Sequence, residues 1–301
     1  MIRLNWLLAL MMLSTMVAGQ QDNLSSLPRK GSYLYFGQPA FEDNSFLLEE
    51  AINQEKRIMQ YSSNFYFDNL RGGNFLYSFN HEIPLGSDLN QISYALTYYL
   101  QNSSVTGSKG GGLGDLNVSY HRMISDKKAW AMVVPGLTVI IPTGKNGFGS
   151  GGLGGQLSLL VTKRLSRKIV THYNLGYTFV SNADFYISNI TGSQVVAYEK
   201  DLKYKNLGAS VIWYQTRKFN WMLEYVSNFF TDIKTDGSES GRHQLTLNPG
   251  FRFAIDHNFT QIVPGISAPI IFSNGKYDHV GLFFYLSFEM EYLPFTKPKS
   301  R

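Results

Sequence analysis

The sequence predicts an all-β fold: a transmembrane antiparallel β-barrel of about twelve strands, with a short N-terminal periplasmic helix before it. Three observations carry this expectation. Charged residues make up only 16% of the 301 and aromatics 15%, with 19 Tyr and 21 Phe. A soluble domain carries about a quarter charged residues, so this surface is built to meet something other than water. From Ser62 onward, segments of roughly ten residues alternate in polarity, the pattern of strands with one face to lipid and one to a lumen. The connections between them alternate long and short, as expected when tight periplasmic turns face longer external loops.

The elements follow in chain order. Residues 1–19 read as a secretory signal peptide, with Arg3 at its start, Trp6 to Met16 as the apolar run and Val17-Ala18-Gly19 as the cleavage site. That run is shorter than the roughly 20 residues a membrane-spanning helix requires. Residues 20–59 differ in character and are expected to form a periplasmic segment. Asp43-Asn44-Ser45 offers capping chemistry, and Leu47, Leu48, Ala51, Ile52, Ile58 and Met59 approximate helical spacing. A short amphipathic helix covering or entering the inner mouth is therefore expected. Residues 60–295 make the barrel, and 296–301 a tail.

The clearest strand is near the C-terminus, where Leu282, Phe284, Leu286, Phe288, Met290 and Tyr292 share one face and Phe283, Tyr285, Ser287, Glu289 and Glu291 the other. Strands are expected at 61–69, 74–83, 91–101, 114–124, 129–142, 154–165, 168–180, 204–215, 219–230, 243–255, 259–272 and 280–292. The expected long connections are Asn102–Leu113, Thr143–Leu153, Ser181–Lys203, Thr231–Arg242 and Ser273–His279, and the tight ones Ser125–Lys128, Ser166–Arg167, Thr216–Lys218 and Asp256–Asn258. Pro135, Pro249, Pro264 and Pro269 fall inside strands although proline cannot donate to a ladder. Three of them precede a glycine, and a bulge with a local kink is expected at each Pro-Gly pair.

Several chemistries are disfavoured. No cysteine is present, so disulfides and thiolate metal sites are excluded. The net charge of +5 is spread along the chain without the basic face of a nucleic-acid binder. Gly147-Phe148-Gly149-Ser150-Gly151-Gly152 matches a dinucleotide fingerprint, but strand pattern follows it where that motif needs a helix. No histidine pair has metal-ligand spacing, and no nucleophile elbow occurs. Neither cofactor nor metal is expected, and no enzymatic role.

By strand parity Glu82, His121, Arg164, His172, Glu224, Arg252, Glu289 and Glu291 face the lumen. On the lipid face a charge costs roughly 2–4 kcal/mol at the midplane, so the interior is its natural place. These residues can form ion pairs filling a narrow lumen, or a constriction that filters solutes.

Phrases along the chain resemble a known family. They include Phe46-Leu47-Leu48-Glu49-Glu50-Ala51-Ile52-Asn53-Gln54-Glu55, Gly112-Leu113-Gly114-Asp115-Leu116, Ile140-Ile141-Pro142-Thr143-Gly144 and Asn206-Leu207-Gly208-Ala209-Ser210. Pro249-Gly250-Phe251-Arg252-Phe253-Ala254-Ile255, Ile262-Val263-Pro264-Gly265-Ile266 and Phe284-Tyr285-Leu286-Ser287-Phe288-Glu289 continue the series. In this order, from about residue 40 to 292, they resemble the outer-membrane transporters named for the MetA pathway of phenol degradation. The resemblance implies an outer-membrane channel or transporter for a small solute, hydrophobic or aromatic by the family's name. The alternatives are a barrel enzyme of lipase or protease type and a structural barrel with a plugged lumen. The partners implied are outer-membrane lipid, a small-molecule solute and the barrel-assembly machinery, with no nucleic acid.

Overall fold

A computed structural model describes residues 45–291 apart from 55–57, 69–72, 103–108, 126–128, 146, 189–193, 234–237 and 258–259. The expected signal peptide and C-terminal tail lie outside the described residues. Fifteen strand segments build one sheet: β1 (Ile58–Asp68), β2 (Asn74–Pro84), β3 (Asn90–Asn102), β4 (Lys109–Leu113), β5 (Leu116–Arg122), β6 (Met132–Ile141), β7 (Gly154–Ser166) and β8 (Ile169–Ser188) come first. The rest are β9 (Gln194–Thr216), β10 (Phe219–Ile233), β11 (Glu239–Phe253), β12 (Ile255–His257), β13 (Thr260–Ser267), β14 (Ile270–Ser273) and β15 (Lys276–Glu291). Three pairs of segments are single strands with a break, β4 with β5, β11 with β12 and β13 with β14. The result is a closed barrel of twelve antiparallel strands.

Closure is made by β1 and β15, which pair from Ile58↔Glu291 to Asp68↔Gly281. A closed sheet satisfies its own backbone polar groups, the condition for crossing hydrocarbon without a helix. Period two then sorts the side chains. On β15, Phe283, Tyr285, Ser287 and Glu289 are buried inside while Leu282, Phe284 and Met290 are exposed outside. Leu157, Leu175 and Leu223 are each more than half exposed on the outer face. In water such a surface would be costly, and in lipid it is the favourable state.

The prolines end differently from the expected bulges. At Pro135, Pro249 and Pro264 the register runs unbroken with one neighbour, through Pro135↔Leu159, Pro249↔Leu223 and Pro264↔Leu286. The missing donor instead faces a gap in the other neighbour. Pairing of β5 with β6 stops at His121↔Gly136, one residue short of Pro135. Pro249 faces the Ser267–Ile270 break, where its carbonyl accepts from Ala268 N at 3.0 Å. Pro264 faces the Phe253–Ile255 break. Register shifts occur elsewhere, at Arg164/Ser166, Val180/Ala183 and Ile271/Phe272.

Two expected loops are also corrected. Ser181–Lys203 is mostly strand, because β8 and β9 run for 20 and 23 residues. Since a span needs only about 9–11 residues, β8 and β9 run well past spanning length at this end of the barrel. Ser273–His279 is a tight turn at Asn274-Gly275, whose φ values of 50° and 78° suit a type I′ hairpin. Asn274 Oδ1 also accepts the His243 amide at 2.9 Å. Asn274→Ala loses both that bond and a residue tolerant of positive φ. It is expected to destabilise the barrel by about 1–2 kcal/mol, measured as a lower midpoint of urea unfolding in lipid.

The expected N-terminal helix is absent from the described residues. Ser45–Gln54 form a bent, non-helical segment, and Ile58 and Met59 already belong to β1. The reason is its surroundings. It lies inside the barrel, and none of its ten residues is more than 9% exposed.

Candidate functional site

The interior of the barrel is the candidate site, and its occupant is the chain itself. Three of the segment's backbone donors are satisfied by wall side chains, so it need not coil to pair them. Leu47 N donates to Glu224 Oε1 at 2.9 Å, Ala51 N to Thr162 Oγ1 at 2.7 Å and Gln54 N to Gln91 Oε1 at 2.7 Å. Ser45 Oγ donates to Ser210 Oγ at 2.7 Å. These partners sit on β10, β7, β3 and β9, so the segment is tied to widely separated parts of the wall.

Side chains complete the seat. Phe46 packs edge-on against Phe283 and Tyr285 at ring distances of 5.8 and 6.0 Å. The Arg252 guanidinium lies 5.7 Å from the same ring. The floor beneath Phe46 is glycine: a Cβ at Gly250 or Gly265 would overlap its ring, as one at Gly208 would overlap Leu48. These glycines therefore make room in the wall. That is the role of the glycine in two of the Pro-Gly pairs; in the third, Gly136 lies under His121.

The charges expected in the lumen can now be placed. Glu82 accepts from Asn80 Nδ2 at 2.8 Å, from Gln91 Nε2 at 3.0 Å and from Gln54 Nε2 at 3.5 Å. His121 Nε2 is 3.4 Å from the Glu49 carboxylate. His172 Nδ1 shares a 2.8 Å hydrogen bond with Thr162, the acceptor for Ala51. Glu224 binds Leu47 N and Asn248 Nδ2, with Arg252 within electrostatic range. Glu289 is buried opposite Gln60 and Gln261. Arg164 is half-buried at a register shift beside the β7–β8 turn. Glu291 ends β15, and its side chain lies outside the described set. Four of the eight, Glu82, His121, His172 and Glu224, thus act directly or through one intermediary on Ser45–Gln54, and Arg252 is a fifth through its contact with Phe46. The contacts run mainly from the wall to the segment inside it. Sequence reasoning missed the segment's own Phe46, Glu49 and Gln54, for which the lumen-facing glycines Gly208, Gly250 and Gly265 were the available signal.

Apart from the segment, a loop packs against the wall beside Tyr99 and β8. Residues 142–145 and 147–153 gather around Asp115, its carboxylate accepting Gly144 N at 3.1 Å and Ser150 N at 2.6 Å. Asp184 N donates to Ser150 O at 2.7 Å, tying the loop to β8. Phe148 points inward and stacks on Tyr99 at 6.3 Å. Glycines of this loop sit at close approaches, Gly144 against Gly149 and Gly149 against the Asp115 carboxylate.

No protein-family model matches the chain, and no curated protein matches it in sequence. Among solved structures, an outer-membrane channel from Pseudomonas putida F1 is similar with a TM-score of 0.56 at 10% identity, over 78% of this chain and 95% of that one. The fold is that of an outer-membrane barrel. The NanC porin (TM-score 0.47, 9% identity, 77% and 99% covered) and the CymD monoaromatic hydrocarbon channel (0.43, 9%, 81% and 90%) resemble it more loosely.

One serine–histidine contact bears on the enzyme alternative. Ser227 Oγ and His243 Nε2 are 2.7 Å apart on the lipid-facing side of β10 and β11. Ser227 lies within a regular ladder between Leu207 and Leu245. The amides around it are committed to strand pairing rather than aimed at a developing oxyanion. The bond satisfies two polar groups facing hydrocarbon, as that environment demands.

Proposed function

We propose that the protein is an outer-membrane channel for a small solute of hydrophobic or aromatic character, held closed by its own segment Ser45–Gln54. The observation that carries this reading is the seat of that segment. It is buried throughout, yet fixed by side-chain hydrogen bonds and by one aromatic anchor instead of by strand pairing. A segment held by side chains leaves without breaking the barrel, whose strands close on themselves without it. Similarity in fold to an outer-membrane channel supports the reading, as does the resemblance to the family named for the MetA pathway. An apolar patch of the inner wall, with Ile140, Val180, Phe185, Leu202 and Phe230 packed together, suits a solute that leaves water readily.

The test compares the full chain with one in which residues 45–54 are replaced by a Gly/Ser linker, both reconstituted in lipid. The replaced chain is expected to show at least about tenfold greater conductance in planar bilayers and faster uptake of a small aromatic alcohol into liposomes. The complete burial of Ser45–Gln54 also favours a second reading, a structural barrel whose lumen stays filled. Equal, negligible conductance from both chains would decide for it.

A further inference from the structure

The outer wall carries a second feature that passage through the bore does not use. Across β7 to β10, on the face toward lipid, lies an apolar crevice of about 490 Å³. Its walls are Leu157, Leu159, Leu175, Tyr177, Leu207 and Phe229, with the smaller Ser158 and Gly176 between them. A crevice of this size, lined by leucines and ring faces, fits hydrocarbon chains.

One charged residue opens into it. Lys205 lines the crevice and is exposed, in direct cross-strand register with Tyr177 on β8 and Phe229 on β10. Two residues further out on the same face, Lys203 is exposed with its ammonium 5.9 Å from the Phe179 ring. Lys205 stands eleven residues from the inner end of β9 at Thr216. At roughly 3.3 Å per residue and a tilt of about 40°, that is ~28 Å along the membrane normal, against an apolar band about 25 Å tall. Both lysines therefore reach the external headgroup level, with the crevice directly below them. No carboxylate among the described residues lies within ion-pair distance of Lys205.

We infer that this crevice and the lysine pair bind a phosphorylated glycolipid of the outer leaflet, its acyl chains in the crevice and its phosphate at Lys203 and Lys205. The alternation along β9 explains how the site arises. Its outward positions change from Val211, Ala209 and Leu207 to Lys205 and Lys203, so one strand face passes from chain-binding to phosphate-binding where the membrane itself changes. An ammonium on the lipid face is costly at the midplane but tolerable near the interface, and an anionic headgroup there makes it favourable. The inference depends on the outer-membrane placement and its orientation, and it holds whether or not the bore conducts.

The experiment titrates the full refolded chain in detergent with bis-phosphorylated hexa-acyl lipid A, counting bound lipid by native mass spectrometry. One bound lipid is expected, with affinity falling about fivefold for Lys205→Gln and about 25-fold for Lys203→Gln with Lys205→Gln, since each charge near such a surface contributes a factor of about five. Leu207→Trp, which fills the crevice and keeps both charges, is expected to lower affinity as well. Gel heat-modifiability establishes that each variant is folded. Unchanged affinity in the double variant would overturn the inference, as would equal binding of dephosphorylated lipid A. Equal binding of phosphatidylglycerol would overturn the assignment to outer-leaflet glycolipid. Because no readout involves conductance, failure here is distinct from failure of the channel reading.

Discussion

Phe46→Ala is expected to turn a closed barrel into one that opens often. Phe46 is 2% exposed and forms the one aromatic anchor of the segment inside the bore, between Phe283, Tyr285 and the Arg252 guanidinium. Truncating a buried phenylalanine costs about 3–5 kcal/mol, including edge-to-face contacts of about 0.5–1.5 kcal/mol each. The loss falls on the docked state of the segment and scarcely on the barrel, because the strands pair without it. At about 1.4 kcal/mol per factor of ten, undocked molecules should rise by about two to three and a half orders of magnitude. Single-channel recording reads this as shorter closed intervals, while the barrel's thermal unfolding on gels moves little. Gly208→Ala gives an independent route, since the three atoms nearest the added Cβ all belong to the Leu48 side chain, so the change pushes first on the segment. If closed intervals in Phe46→Ala match the parent, the segment is not what closes the bore.

The difference between what the sequence disclosed and what it concealed has a physical cause. Strand parity is local information. The alternation of Ser93, Ala95, Thr97 and Tyr99 with Ile92, Tyr94, Leu96 and Tyr98 states directly which side meets lipid, and burial follows it. The segment at 45–54 is legible only with its surroundings. Leu47, Leu48, Ala51 and Ile52 have helical spacing, yet Glu49, Glu50, Asn53 and Gln54 are buried as deeply as the leucines. Periodicity presumes one wet face, and inside a barrel no face is wet. Backbone donors that water or a helix would have taken go to Glu224, Thr162 and Gln91, which lie 177, 111 and 37 residues away in the chain. A glycine on the lumen face of a strand marks a close approach, and Gly208, Gly250 and Gly265 lie under Leu48 and Phe46. Read as turn chemistry beside proline, two of them pointed to bulges instead.

Glu224→Leu should cost the most stability of any single change at this site, and Glu224→Gln far less. The Glu224 carboxylate is 0% exposed and joins three elements. One oxygen accepts the Leu47 amide at 2.9 Å, the other accepts Asn248 Nδ2 at 2.5 Å, and Arg252 lies within its field from β11. Leucine removes both acceptors and takes a negative charge out of the field of the buried Arg252 guanidinium, and losing one member of a buried charged pair costs about 3–5 kcal/mol. Glutamine keeps an oxygen for the Leu47 amide or for Asn248 while removing the charge, so it forfeits the electrostatic part alone. The temperature at which the folded form disappears on gels should therefore fall in the order parent, glutamine, leucine. Conductance should rise in the same order as the Leu47 contact weakens. Adding Arg252→Met to Glu224→Leu should recover part of the lost stability, since an apolar pair of similar volume is tolerated better than an unbalanced buried charge. It should not restore closure, because the Leu47 amide still lacks its acceptor and Phe46 has lost its cation. A double variant that regained both properties would show that Glu224 serves only to balance Arg252 and does not hold the segment.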